Sequence, residues 1–95
     1  MNFEVLGKNC EFKRLTAKEW LELKNAMLKA SATNDFSVLD NLMFRALIVG
    51  DYKDCNTATI DLIFGDDGAK AISEISIKFL EFAQSFLPNS LKFQE

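Results

Sequence analysis

The chain has 95 residues, a net charge of −3 and an apolar content of 48%. This length supplies one modest core, and the composition is typical of a folded globular domain. Its eleven basic residues are scattered among fourteen acidic ones, which argues against a nucleic-acid surface. The sequence contains no histidine, the commonest general base and zinc ligand in proteins. Composition therefore favours a protein-binding role over catalysis.

Cysteine and aspartate, which can bind metals or take part in catalysis, are present, but their spacing does not predict a metal site or a catalytic site. Cys10 and Cys55 are far apart and neither belongs to a Cys-x-x-Cys pair. The string Asp51-Tyr52-Lys53-Asp54 has oxygen ligands but lacks the spacing of a calcium loop. The segment 65–68, Gly-Asp-Asp-Gly, is better explained as a turn in which Asp66 or Asp67 caps the next helix. We predict no catalytic residue, no metal site and no cofactor.

Residues 3–14 are predicted to form a β-hairpin, because apolar and charged residues alternate on both sides of turn residues around Gly7. Two registers keep the apolar faces together. The first has a two-residue turn and places Phe3 opposite Phe12. The second has a four-residue loop and places Val5 opposite Phe12, and we prefer it because it pairs opposite charges.

The clearest local signal is the start of a helix at Thr16. The Thr16 hydroxyl is placed to accept from the N–H of Glu19, whose carboxylate reaches back to the N–H of Thr16 in a capping box. Leu15 and Trp20 occupy the two positions of a hydrophobic staple. A helix over about 17–30 follows. Its core face is predicted to carry Trp20, Leu23, Met27 and Ala30, flanked by Leu21 and Leu28.

Three more helices are predicted, over about 36–49, 57–64 and 67–87. The helix over 36–49 is apolar around most of its circumference, and Gly50 is a natural stop for it. The segment 57–64 also alternates like a strand, with Thr57 as the cap if it is helical. We prefer a helix there, because no neighbouring segment offers a lone strand a partner.

Together these elements predict an α+β fold that is mainly helical. In this fold an N-terminal β-hairpin packs on a bundle of about three α-helices plus one short helix. A single compact domain is expected over residues 1–88, with Pro88 closing the last helix. Residues 89–95 are predicted to be a mobile C-terminal tail.

Two of the helices carry more apolar residues than a three-helix core is expected to bury. Aromatic residues recur at three- and four-residue steps along the last helix. One interpretation places this stripe in the core. The other assigns part of it, with part of the helix over 36–49, to a partner-binding or dimer surface. The candidate partner-binding residues are Phe79, Phe82, Phe86, Phe44 and Ile48.

The order of the elements is a further observation. A short hairpin leads into the helix LTAKEWLELK, and a second helix lies in NDFSVLDNLMFRALIVG. A polar loop, the short segment TATIDLIFGDD and a last helix in AKAISEISIKFLEF follow. This layout, over about residues 3–87, resembles the small tail assembly chaperones of long-tailed bacteriophages and prophages, the group that includes the tail protein E type. The resemblance includes no functional motif that could be carried over residue by residue.

The resemblance implies a non-catalytic chaperone that binds the tape-measure protein during tail assembly in the cytoplasm of a bacterial host. No secretory signal and no membrane span are expected. The alternatives are another small protein-interaction module, such as an adaptor or a dimeric regulator of a mobile element, and a minor structural tail component. A protein partner is expected, not nucleic acid or a membrane, and self-association is left open.

Overall fold

A computed structural model describes residues 1–86 of the chain. Its strands are β1 (Asn2–Val5), β2 (Lys8–Phe12) and β3 (Leu47–Val49). Its helices are α1 (Ala17–Thr33), α2 (Ser37–Ala46), α3 (Thr57–Phe64) and α4 (Gly68–Gln84), with a 3-10 turn at Gly65–Asp67. The fold is α+β and mainly helical, which confirms the predicted class.

The hairpin forms, but in neither of the two predicted registers. Val5 was expected opposite Phe12, whereas it pairs directly with Lys8, so that only Leu6 and Gly7 form the turn. Both turn residues have positive φ angles, 49° and 82°. Positive φ at both central positions defines a type I′ turn, whose twist matches that of the strands it joins. This match explains why the tight turn replaces the longer loop.

Residues 47–49 were predicted to end a helix, and this prediction is wrong because they form a strand. β3 pairs antiparallel with β2, with Cys10 opposite Val49 and Phe12 opposite Leu47. The result is a three-stranded sheet in the order β1-β2-β3. β2 pairs with β1 along one edge, and β3 satisfies the backbone groups on its other edge. The β-branched residues of this segment also favour a strand.

α1 begins as predicted, at a complete capping box. The Thr16 hydroxyl accepts from the Glu19 N–H at 3.2 Å, and the Glu19 carboxylate accepts from the Thr16 N–H at 3.0 Å. The helix continues past Ala30, its predicted end, to Thr33. Asn34 then adopts the left-handed conformation and donates its N–H to the Ala30 carbonyl at 2.9 Å. This is a common way to end a helix.

α3 lies over the range predicted for the short helix, but its cap differs from the prediction. The side chain of Asn56, and not that of Thr57, accepts from the Thr59 N–H at 3.0 Å. The Thr59 hydroxyl in turn accepts from the Asn56 N–H at 3.4 Å, which completes a second capping box. The polar residue before the helix therefore sets its start.

The predicted aspartate cap of α4 is absent. Asp67 occupies the position before the helix but makes no capping hydrogen bond through its side chain. The 3-10 turn leads into α4, and the Gly68 N–H donates to the Gly65 carbonyl. The backbone of the turn thus satisfies an amide that a side-chain cap would otherwise serve. The predicted helix end at residue 87 is too late, because α4 ends at Gln84 and residues 85 and 86 form a turn. The stop at Pro88 and the tail over 89–95 lie outside the described residues.

The core lies between the inner face of the sheet and the helices, with α4 in contact with β1, α2 and α3. Aromatic rings join the sheet to α4: Phe12 lies 5.1 Å from Phe79 and 5.3 Å from Phe82 between ring centroids. Phe3 extends this cluster, 4.8 Å from Phe12. No buried polar or charged side chain occurs among residues 1–86. Side-chain burial and ring packing are the main side-chain contributions to the stability of such a core.

Candidate interaction surface

Two of the five candidate partner-binding residues belong to the core. Phe79 and Phe82 are only 2% and 6% exposed, and both rings pack against Phe12. A partner that docks on the folded chain does not reach them. For these two residues the structure corrects the assignment to an exposed stripe and supports the alternative interpretation, in which the stripe is the core face of the helix.

Phe86 lies at the rim of the same aromatic cluster. Its ring is 5.0 Å from that of Phe82 and 5.4 Å from that of Trp20, at the start of α1. It is 38% exposed, and Trp20 is half-buried. The contact therefore joins the turn that follows α4 to the first turns of α1, and leaves part of the Phe86 ring at the surface.

The last two candidates lie elsewhere on the molecule. Phe44 is half-buried on α2 and lines a shallow depression beside Arg45 and the loop residue Asp54. Ile48 is half-buried at the centre of β3, opposite Glu11 and on the face of the sheet away from the core. The structure does not bring Phe44, Ile48 and Phe86 into one surface.

The most exposed apolar pair at regular helical spacing lies instead on α1. Leu21 and Leu28 are 56% and 62% exposed. They lie roughly 140–160° around the helix from the buried Leu23, so they face outward and do not flank the core as predicted. Their separation of seven residues places them on one stripe, two helical turns apart. The expectation that they border the core is therefore wrong.

Lysines accompany the two leucines. Lys18 and Lys24 are exposed, and none of the ion pairs among the described residues involves either of them. We call Lys18, Leu21, Lys24 and Leu28 the α1 outer face. It combines apolar side chains with positive charge in a chain whose net charge is −3.

The two carboxylates of α1 are both committed to contacts within the chain. Glu22 accepts from the guanidinium of Arg45 on α2 at 3.1 Å. Glu19 completes the capping box, and the hydrogen bond from the Thr16 backbone lowers the pKa of its carboxyl. Neither residue is one of the four that form the α1 outer face, and both carboxylates are held by contacts elsewhere in the chain. The separation of the two carboxylates from Lys18 and Lys24 on α1 therefore depends on contacts that the folded chain makes.

Other exposed apolar side chains are distributed over the surface. They are Phe36 and Val38 near the start of α2, Leu62 on α3, and Ile77 and Leu80 on α4. The pair on α4 has mixed charges nearby, because Lys78 is paired with Glu81 at 3.5 Å. The α1 pair is accompanied by two exposed lysines that take part in none of the ion pairs of residues 1–86.

The two thiols are core groups. Cys10 and Cys55 are free and buried. Burial raises the pKa of both, and the proximity of Cys55 raises that of Cys10 further. A raised pKa keeps a thiol protonated and unreactive at neutral pH. Among residues 1–86, no group of three or more potential metal ligands occurs, and no helix is long and apolar enough to cross a bilayer.

Comparison of the chain with protein-family models, curated proteins and solved structures finds no match. The geometry of the α1 outer face is the feature of the described residues that bears most directly on a role in binding.

Proposed function

We propose that this protein is a non-catalytic phage or prophage tail assembly chaperone, which binds the tape-measure protein in the bacterial cytoplasm. The observation that carries the proposal is the exposed pair Leu21 and Leu28 on α1. Apolar residues on one stripe of a helix are the usual docking surface for another helix. The resemblance of the sequence to tail assembly chaperones is the reason for proposing the tape-measure protein as the partner.

Two leucines support a transient contact. Complete burial of each contributes about 1.5–3 kcal/mol, and association itself costs several kcal/mol. A single chain therefore binds weakly through this pair, and firm capture requires several chains along an elongated helical partner. Reversible contacts suit a helper that covers apolar helix surface during assembly and then leaves.

The test is co-expression with the tape-measure protein from the same genome, followed by affinity capture and size-exclusion chromatography. The wild-type chain should keep the partner soluble and elute with it. The double variant Leu21→Ala/Leu28→Ala should lose the complex and keep its fold, because both side chains are exposed and Ala favours a helix.

The matched control is Leu62→Ala/Leu80→Ala, which removes two exposed leucines from α3 and α4. This variant should retain the complex. Equal capture by both double variants would show that α1 is not the binding surface. If the wild-type chain forms no complex, the chaperone proposal is wrong, and an adaptor, a regulator or a minor structural tail component takes its place.

A further inference from the structure

The charge pattern of α1 indicates the chemistry of its partner. Lys18 and Lys24 lie beside Leu21 and Leu28 on the exposed side of the helix. Glu22 is drawn toward Arg45, and Glu19 is held at the cap by Thr16. A surface that is apolar along its centre and positive at its margins is complementary to one that is apolar and negative.

We infer that the α1 outer face binds an acidic amphipathic helix. The apolar stripe of that helix packs on Leu21 and Leu28, and carboxylates beside the stripe pair with Lys18 and Lys24. The inference rests on the proposed function and specifies which kind of segment the chaperone recognises in its partner. Partially exposed ion pairs at the margin add modest affinity at low salt, and they select the partner and its orientation.

A lipid surface fits these observations less well. Two leucines two turns apart form a narrow seam, whereas helices that lie in a membrane interface present a broad apolar face rich in large residues. A second copy of the chain packed through the same helix would bring lysines against lysines.

The test uses the full chain and two synthetic helical peptides of about three heptads each. Both peptides carry leucines along one stripe; the first has glutamates beside the stripe, and the second has glutamine in place of each glutamate. Isothermal titration calorimetry at low and high salt measures the two affinities. We expect the glutamate peptide to bind roughly tenfold more tightly at low salt, and the preference to shrink as salt screens the ion pairs.

The variant Lys18→Glu/Lys24→Glu should abolish the preference for the glutamate peptide. The matched control Lys53→Glu/Lys70→Glu makes the same change in net charge at exposed lysines outside α1 and should keep the preference. Equal affinity of the wild-type chain for the two peptides, or no binding of either, would overturn the inference. So would a preference that survives in Lys18→Glu/Lys24→Glu.

Two further measurements test the other possible partners of the α1 outer face, a lipid membrane and a second copy of the chain. Sedimentation with vesicles of phosphatidylserine and phosphatidylcholine tests a membrane, and analytical ultracentrifugation tests a second copy. Vesicle binding that is lost in Lys18→Glu/Lys24→Glu would overturn the inference in favour of lipid. Self-association that is lost in Leu21→Ala/Leu28→Ala would overturn it in favour of a dimer.

The proposed function and this inference fail in different ways. If the wild-type chain captures the tape-measure protein and Lys18→Glu/Lys24→Glu captures it equally well, the chaperone proposal stands and the acidic-helix inference is wrong. If the wild-type chain prefers the glutamate peptide but forms no complex with the tape-measure protein, the inference stands and the partner lies elsewhere.

Discussion

At the scale of the residue, Leu6 has a backbone conformation that its side chain opposes. Its φ of 49° lies in the left-handed region, where Cβ crowds the backbone and where Gly, Asn and Asp are favoured. The side chain is exposed, so little packing offsets the cost. The pairing of Val5 with Lys8 imposes this geometry on the turn. The position therefore carries strain that another residue would relieve.

We predict that Leu6→Asn stabilises the protein by about 0.5–1 kcal/mol, because Asn-Gly is a preferred pair for a type I′ turn. Equilibrium urea unfolding measures the change. Leu6→Val is the opposing control and should be less stable than the wild type, since a β-branched side chain is still more costly at positive φ. A wild type that is more stable than Leu6→Asn would contradict the type I′ assignment.

At the scale of the element, α4 has two faces with different roles. Phe79 and Phe82 contact the sheet through Phe12 and are buried, while Leu80 lies between them in sequence and is exposed. Successive residues of a helix diverge by about 100°, so neighbours in sequence can have different environments. Aspartate introduced at Phe82 or at Leu80, two positions away, therefore distinguishes a core position from a surface position.

We predict that Phe82→Asp unfolds the protein, because an unpaired carboxylate in an apolar core costs several kcal/mol against a typical stability of about 5–15 kcal/mol. Leu80→Asp, the matched control on the same helix, should change stability by only about 0.5 kcal/mol. Far-UV circular dichroism and urea unfolding compare the two. Equal stability of the two variants would mean that Phe82 is not a core residue.

At the scale of the whole molecule, Cys10 and Cys55 make the stability of the fold depend on pH. They belong to β2 and to the loop before α3, and both are buried. Burial raises the pKa of both thiols in the folded chain. The unfolded chain therefore releases these protons at lower pH than the folded one, and alkaline conditions favour unfolding through linkage.

We predict that the contribution of the thiols to stability is fully present below their ordinary pKa of about 8.5 and is lost as pH rises above it. The double variant Cys10→Ala/Cys55→Ala should be less stable at pH 7 and should lose less stability between neutral and alkaline pH. Urea unfolding at several pH values measures both effects. Parallel pH profiles for wild type and variant would show that the thiols titrate alike in both states.

The candidate surface could be predicted only in part from the sequence. Periodicity shows that Leu21 and Leu28 share a stripe of α1 and that Phe79 and Phe82 share a stripe of α4. It does not show which stripe another element covers. The aromatic stripe is buried because the sheet supplies Phe12 as a partner. The leucine stripe is exposed because the described elements pack on the opposite side of α1.

The sequence by itself determined the start of α1, the position of the short helix at 57–64 and the mainly helical α+β class. The start of α1 depends on a capping box and the class on helical periodicity, which involve residues a few positions apart. The short helix was predicted because no neighbouring segment offered a strand there a partner. Only the tertiary structure decided that 47–49 is a strand, which residues pair across the hairpin and which apolar side chains stay at the surface. A strand requires a partner edge distant in the chain, and burial requires a neighbouring element, so neither is a property of a local segment.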